Sequence, residues 1–263
     1  MNKIIALTLS AGLLLSGAAG ATEKPAAAFT LKQEACIGEI AKDYLLAHPE
    51  VLVEVSQKLQ SQRQEKQQQA MTTAVIQNQA ALLNDKGTPS YGPADAKVTV
   101  VEFFDYQCVY CARLAPELEK VIKANSDVRF VFKEFPIFGQ RWPASLSAAK
   151  TGLQVWKQKG GDSYLQYHNA IYATGHNEGK LTDVDISTDA KAVKFDAKTA
   201  PDVQGALDRV NTLAQLLGFN GTPVLVVQPS VGASADNVTV IPGYTSAESL
   251  QQVIDHVAGD TKK

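Results

Sequence analysis

Val98-Thr99-Val100-Val101-Glu102-Phe103-Phe104-Asp105-Tyr106-Gln107-Cys108-Val109-Tyr110-Cys111 is the stretch that decides the fold. Val98 to Phe104 is nearly all apolar, as expected of a central strand covered on both faces. After the second cysteine, Leu114, Leu118 and Val121 share one side of a helix, while Glu117, Glu119 and Lys120 lie elsewhere. A dithiol is therefore expected where a strand hands over to a helix N-terminus. Unpaired backbone N–H groups and the positive dipole end stabilise a thiolate there, the reactive form of cysteine. Cys108, first on the helix, is the expected nucleophile. Cys111, one turn deeper on the same face, is placed to attack a mixed disulfide formed at Cys108. The competing reading, a structural disulfide, does not need a strand-to-helix setting, whereas reactivity does.

Glu102 interrupts the apolar strand six residues before Cys108. A carboxylate there is expected to be desolvated, with a raised pKa, and so able to shuttle the proton of Cys111; the alternative is a carboxylate on an exposed edge. Val128 to Phe132 reads as a second strand, giving a parallel βαβ unit. Lys133, at its end, is the expected partner charge of Glu102, set against a plain surface lysine. A helical insertion spans about residues 138–217, with Leu146, Ala149, Leu153 and Trp156 on one face and Leu165, His168 and Tyr172 on another. Residues 181–200 show scattered aspartates and weak periodicity, and no element is assigned to them. Strand signal returns at Pro223–Gln228 and Val238–Ile241, and Ser246–Val257 reads as a closing amphipathic helix. The class is α/β.

Outward from this centre, the first residues carry targeting information. Met1-Asn2-Lys3 is a short basic start, Ile4 to Leu15 is apolar, and Ala19-Gly20-Ala21 is a small-residue cleavage pattern, so residues 1–21 read as a signal peptide, with an uncleaved anchor as the alternative. The chain is then expected outside the cytoplasm, in the periplasm, with no membrane span, where dithiols can be oxidised. Removing residues 1–21 leaves 24 basic against 27 acidic residues, a net charge of −3. Such a balance gives nucleic acid or an anionic membrane no electrostatic purchase. Three cysteines in 263 residues exclude a disulfide-stapled miniprotein.

Residues 22–87 differ in composition from residues 88–263. Ile37, Ile40, Ala41, Tyr44 and Leu45 repeat at helical spacing, Pro49 restarts the helix, and Leu52, Val55 and Leu59 continue the stripe. Gln60 to Gln69 holds no apolar residue; Met71, Val75, Leu82 and Leu83 follow. Either this helix lies across its own globular domain, or the first stripe packs against copies of itself, making a homo-oligomer through residues 32–85. Cys36 fits a helix interface as a small apolar residue, or an intersubunit disulfide.

The motif Phe103 to Cys111, a helical insertion, and Gly221-Thr222-Pro223 before a strand resemble the DsbA-type thiol oxidoreductases of the thioredoxin fold, over about residues 95–258. The leader and helical extension further resemble the suppressor of copper sensitivity protein C group. The resemblance implies a thioredoxin fold, Cys108 and Cys111 as the redox pair, Glu102 as the proton-handling acid, and a cis Thr222-Pro223 bond. Val109, Tyr110, Thr222 and Pro223 would contact substrate, with the Thr222 backbone pairing to an extended chain. Thr before the proline resembles the isomerase branch, and Tyr110 lacks the imidazole of strongly oxidising members. The expected activity is disulfide isomerase or reductase on unfolded or misoxidised secreted proteins, reset by a membrane redox partner, without cofactor or metal. A DsbA-like oxidase is one alternative; Cu(I) handling is another. Copper would need ligands beyond the dithiol, and His48, His168, His176 and His256 are scattered.

Overall fold

The structure is a computed structural model and describes residues 29–260; the expected signal peptide, residues 1–21, lies outside them. The described residues form two compact units, divided between Gln60 and Ser61.

In the first unit, α1 (Leu31–Ala47) starts at a capping box in which Thr30 and Gln33 satisfy each other's backbone N–H groups. No residue of α1 is buried. Pro49 precedes α2 (Glu50–Gln77), which belongs to this unit as far as Gln60. Ile37, Ile40, Tyr44, Leu52, Val55 and Leu59 are all exposed.

The second unit takes the rest of α2, then α3 (Gln79–Leu83), β1 (Ser90–Tyr91), β2 (Val98–Phe104), α4 (Val109–Ala124) and β3 (Arg129–Glu134). The helical insertion follows as α5 (Pro143–Ala173), α6 (Asp183–Ala192) and α7 (Gln204–Leu216). The chain closes with β4 (Val224–Pro229), β5 (Thr239–Pro242) and α8 (Ala247–Asp260). The sheet order is β1-β3-β2-β4-β5, with β2 parallel to β3 and antiparallel to β4. All seven residues of β2 are buried, which is why the strand reads as an apolar run.

Strand alternation divides the core in two. Val100 and Phe104 face a cluster with Leu114, Leu118 and Tyr164, whereas Val101 and Phe103 face one with Met71, Val75, Leu82, Leu217 and Phe219. The second apolar stripe of the N-terminal region is therefore part of this core. Two glutamines fasten it: Gln68 Nε2 donates to the Val240 carbonyl of the edge strand β5, and Gln79 Nε2 to the Pro229 carbonyl, each at 2.8 Å. Composition shifts at Gly87, but packing divides the chain earlier because Met71, Val75, Leu82 and Leu83 are buried against the sheet.

Two elements differ from expectation. β1 falls inside a stretch that reads as a turn-rich linker; it pairs antiparallel with β3 over only two residues, too short for a periodic signal. Residues 181–200 contain α6, opened by a capping box between Thr182 and Asp185, with Ile186 and Ala190 buried. The aspartates that weaken the apolar pattern there include Asp185, the partner of Thr182 in that capping box. α5 is broken at Gly160, whose φ of +81° a residue with a Cβ rarely adopts.

Candidate active site

Cys108 is the N-cap of α4, held there by its backbone N–H donating to the Asp105 carbonyl at 3.0 Å. The loop before it is clamped by Asp105, whose carboxylate accepts from the backbone N–H of Gln107 (2.8 Å) and Phe138 (2.9 Å) and from the Ser145 hydroxyl (2.8 Å). Tyr172 adds a hydrogen bond to the Asp105 carbonyl at 3.1 Å. The reactive turn is thus tied to both the loop after β3 and the helical insertion.

Both sulfurs of the motif are free thiols, and they are unequal. Cys108 is 5 % exposed and Cys111 is wholly buried. A hydrogen bond from the Cys111 thiol is the largest influence on Cys108. Burial opposes it, and the Thr222 hydroxyl and the backbone N–H groups of Cys111 and Tyr110 assist. Together they lower the Cys108 pKa to about 6. Burial, and then the same hydrogen bond, drive the Cys111 pKa well above the usual thiol range. At neutral pH the outer sulfur is a thiolate and the inner one a thiol.

Thr222-Pro223 is a cis peptide, and the Thr222 carbonyl lies 3.2 Å from Cys108 Sγ. The Gly243 N–H donates to the Pro223 carbonyl at 2.8 Å, tying this loop to the end of β5. Tyr110 is half exposed beside Cys108, with the Arg113 guanidinium 5.9 Å from its ring centre; Val109 is partly buried. A 450 Å³ groove runs along Thr222 and Pro223 to Phe219 and to Gln64, Gln68 and Met71 of α2.

Glu102 faces the dithiol from β2, fully buried. Desolvation, with a smaller contribution from the Cys108 charge, pushes its pKa up to about 8. Its expected partner is absent: Lys133 projects from the opposite face of the sheet. The register pairs Glu102 with Phe132 and Phe103 with Lys133, so alternation sends Lys133 to the Phe103 side. There Lys133 Nζ donates to the Ala81 carbonyl and the Thr88 hydroxyl, both at 3.1 Å, and burial lowers its pKa to about 8. The expectation of a Glu102–Lys133 pair is corrected by the register.

The fold therefore gathers Cys108, Cys111, Glu102, Thr222 and Pro223, with Val109 and Tyr110 at the rim, and leaves Lys133 out. Three side chains that sequence reasoning passed over join them: Asp105, Glu134 and His168. Glu134 accepts from the Tyr106 and Tyr164 hydroxyls at 3.1 and 2.9 Å. His168 Nε2 lies 3.8 Å from Glu102 Oε2. The helical register with Leu165 and Tyr172 pointed His168 inward, but no sequence signal said what it would meet. Cys36 is exposed. Among the described residues, no three His, Cys, Asp or Glu side chains group as a metal site, and no helix is long and apolar enough to cross a membrane.

Comparison with known proteins agrees with this fold. The family model described as thioredoxin matches residues 84–239, and that of the copper resistance protein ScsC N-terminal domain matches residues 33–70. The crystal structure of BcfH from Salmonella enterica Typhimurium is 45 % identical, covering 86 % of this chain and 96 % of that one, with a TM-score of 0.75. ScsC of Proteus mirabilis in a transitional conformation is 28 % identical, covering 88 % of this chain and 98 % of that one, with a TM-score of 0.60. Disulfide bond formation protein D of Bacillus subtilis is 35 % identical over 91 residues, 33 % of this chain, and the match spans 39 % of that protein's length.

Proposed function

Since the chain belongs to the thioredoxin family, as a DsbA-type member with the ScsC N-terminal domain, we propose that it is a thiol-disulfide oxidoreductase of the periplasm, working chiefly as a disulfide isomerase or reductase. The observation that carries the reading is the inequality of the two thiols: Cys108 held to about 6 beside the Thr222 carbonyl, Cys111 buried and held protonated.

The Cys108 thiolate attacks one sulfur of a substrate disulfide. A bond forms between Cys108 Sγ and that sulfur, and the other substrate sulfur leaves as a thiolate. Two exits follow. In isomerisation a substrate thiolate attacks the substrate sulfur of the mixed disulfide, a new substrate disulfide forms, and Cys108 leaves unchanged. In reduction Cys111 gives its proton to the Glu102 carboxylate and attacks Cys108 Sγ, so the substrate departs reduced and the Cys108–Cys111 disulfide remains. The half-exposed Tyr110 and the Thr222 backbone present the substrate chain, and main-chain recognition makes specificity broad.

The exposed stripe Ile37, Ile40, Tyr44, Leu52, Val55 and Leu59 supports a homo-oligomer formed through the N-terminal helices. Several dithiols then serve one substrate, which favours isomerisation. Full-length protein is expected to sediment as an oligomer, and a chain lacking residues 22–60 as a monomer; a monomeric full-length protein refutes the assembly. The deletion stops at residue 60 because Met71 and Val75 belong to the core of the second unit.

Refolding of a scrambled-disulfide protein, run beside oxidation of a dithiol peptide, tests the activity. Faster rescue of the scrambled protein supports the isomerase; peptide oxidation alone makes the protein an oxidase. The ScsC N-terminal match gives Cu(I) handling a specific footing, since thiolates bind soft Cu(I). Titration of the reduced protein decides it: less than one ion per chain is the expected result.

A further inference from the structure

Behind the dithiol, three buried polar atoms have no hydrogen-bond partner among the described residues: Glu102 Oε1, Glu102 Oε2 and His168 Nε2. They face each other, with Nε2 3.8 Å from Oε2 and both side chains at most 2 % exposed. Two unsatisfied buried groups side by side are costly in a folded protein, and such a cost is often retained for function.

The state of the imidazole follows from its surroundings. Its ring sits among Phe104, Phe132 and Tyr172, with centroids 4.9, 5.2 and 5.0 Å away. Burial there lowers the His168 pKa to about 4, so the ring is neutral at physiological pH and has one donor and one acceptor nitrogen. Nδ1 lies 2.9 Å from Asn169 Oδ1, an acceptor. The ring proton therefore belongs on Nδ1, and Nε2 directs a lone pair at Glu102. A lone pair repels a carboxylate but accepts from a protonated carboxyl. A shift of about 1 Å brings the two within hydrogen-bond distance.

The other ionisable groups facing Glu102 supply no opposing cation. They are Cys108 at the N-cap of α4 and Cys111 on it, Glu134 on β3, and Tyr164 and Tyr172 on α5, all neutral or negative.

We propose that His168 is a positioning residue for the exchange reaction: its Nε2 lone pair accepts the hydrogen bond of the protonated Glu102 carboxyl and so holds Glu102 as an acid. The inference rests on reading Glu102 as the acceptor of the Cys111 proton. While Glu102 keeps its own proton, Cys111 has no base and remains a thiol, so the exit through Cys111 is slow. The mixed disulfide at Cys108 then waits for a substrate thiolate. His168 thereby biases the branch toward isomerisation, in which no electrons are gained or lost overall, and away from reduction.

The tautomer can be read directly by nitrogen NMR of the reduced, full-length protein at pH 7, where His168 is expected to carry its proton on Nδ1. A proton on Nε2 overturns the proposal. Two variants place a donor against Glu102 instead of a lone pair. His168→Gln does so with its amide, and Asn169→Ala does so by freeing the ring to protonate Nε2, from a partly buried surface position that spares the core.

Both are expected to lower the Glu102 titration, followed by carbon NMR of its carboxyl, by about one pH unit. Escape of mixed disulfides through Cys111 should rise by roughly fivefold at pH 7, as the ionised share of Glu102 grows. Folded variants whose carboxyl titrates as in the wild type refute the role of His168. Glu102→Gln separates the two levels: if it leaves escape through Cys111 unchanged, the reading of Glu102 itself fails. If it slows escape while the donor variants do not quicken it, only the inference about His168 fails.

Discussion

The central sheet buries ionisable side chains on both faces, among them Glu102 on the α4 and α5 side and Lys133 on the α2 and α3 side, from neighbouring strands one residue apart in register. Their treatment is opposite. Lys133 makes two hydrogen bonds at 3.1 Å; the Glu102 carboxyl makes none among the described residues. A buried charge that is met by hydrogen bonds serves the architecture, here by fastening α3 and the segment before β1 to β3. A buried acid left unmet keeps its proton to higher pH, and Glu102 lies beside the two sulfurs that must exchange one. The difference teaches that burial alone does not mark a functional group; burial without a partner, next to a nucleophile, does.

The largest effect should come from the sulfurs themselves, which give the Glu102 face its chemistry. Cys108→Ala is expected to abolish exchange, and Cys111→Ala to accumulate mixed disulfides on Cys108, visible as adducts on non-reducing gels. Accumulation in Cys108→Ala instead would reverse the roles assigned from their burial.

Glu102→Gln acts next, on rate and on stability together. The Glu102 pKa rises from 4.5 to about 8 on folding, so the folded state holds this proton longer than the unfolded chain does. Ionising Glu102 therefore costs stability that is intact below pH 4.5, is lost progressively as pH rises, and is fully lost above about 8. At pH 7 the cost is about 3 kcal/mol. Wild-type stability, followed by urea unfolding of the reduced protein, should fall by that order between pH 4.5 and 7 relative to Glu102→Gln. Two parallel pH profiles would remove Glu102 from the low-dielectric site. The same substitution should slow release of mixed disulfides through Cys111 by on the order of 100-fold.

Much of this contrast was legible in the chain. A strand apolar at every position but Thr99 and Glu102 announced a two-sided core and a desolvated acid, and Cys108 to Cys111 at its exit announced the chemistry. Lys133 was misread because distance along the sequence says nothing about the face until strand register is known; a slip of one residue would have put it beside Glu102. His168 was missed for a related reason: its helical spacing gave a direction, while its target belongs to a strand 66 residues earlier. α6 was obscured because Thr182 and Asp185 satisfy a helix start with polar groups that dilute an apolar stripe. Local patterns give elements; which side chains converge depends on pairings that local patterns do not contain.

The smallest expected effect tests the other side of the comparison. Lys133→Met keeps the apolar stem and removes the ammonium, leaving the Ala81 carbonyl and Thr88 hydroxyl without their donor. Losing these bonds destabilises the protein, while removing an ammonium whose burial already lowers its pKa to about 8 offsets part of the loss. Because Lys133 faces away from Glu102, the rate of mixed-disulfide release and its pH profile should stay within about twofold of wild type, a change of under 0.5 kcal/mol in the barrier. Stopped-flow reduction of a disulfide peptide across pH 5 to 9 gives the measurement. A profile displaced in the same sense as that of Glu102→Gln would mean that the two faces communicate through the sheet, and the separation of structural and chemical burial would not hold.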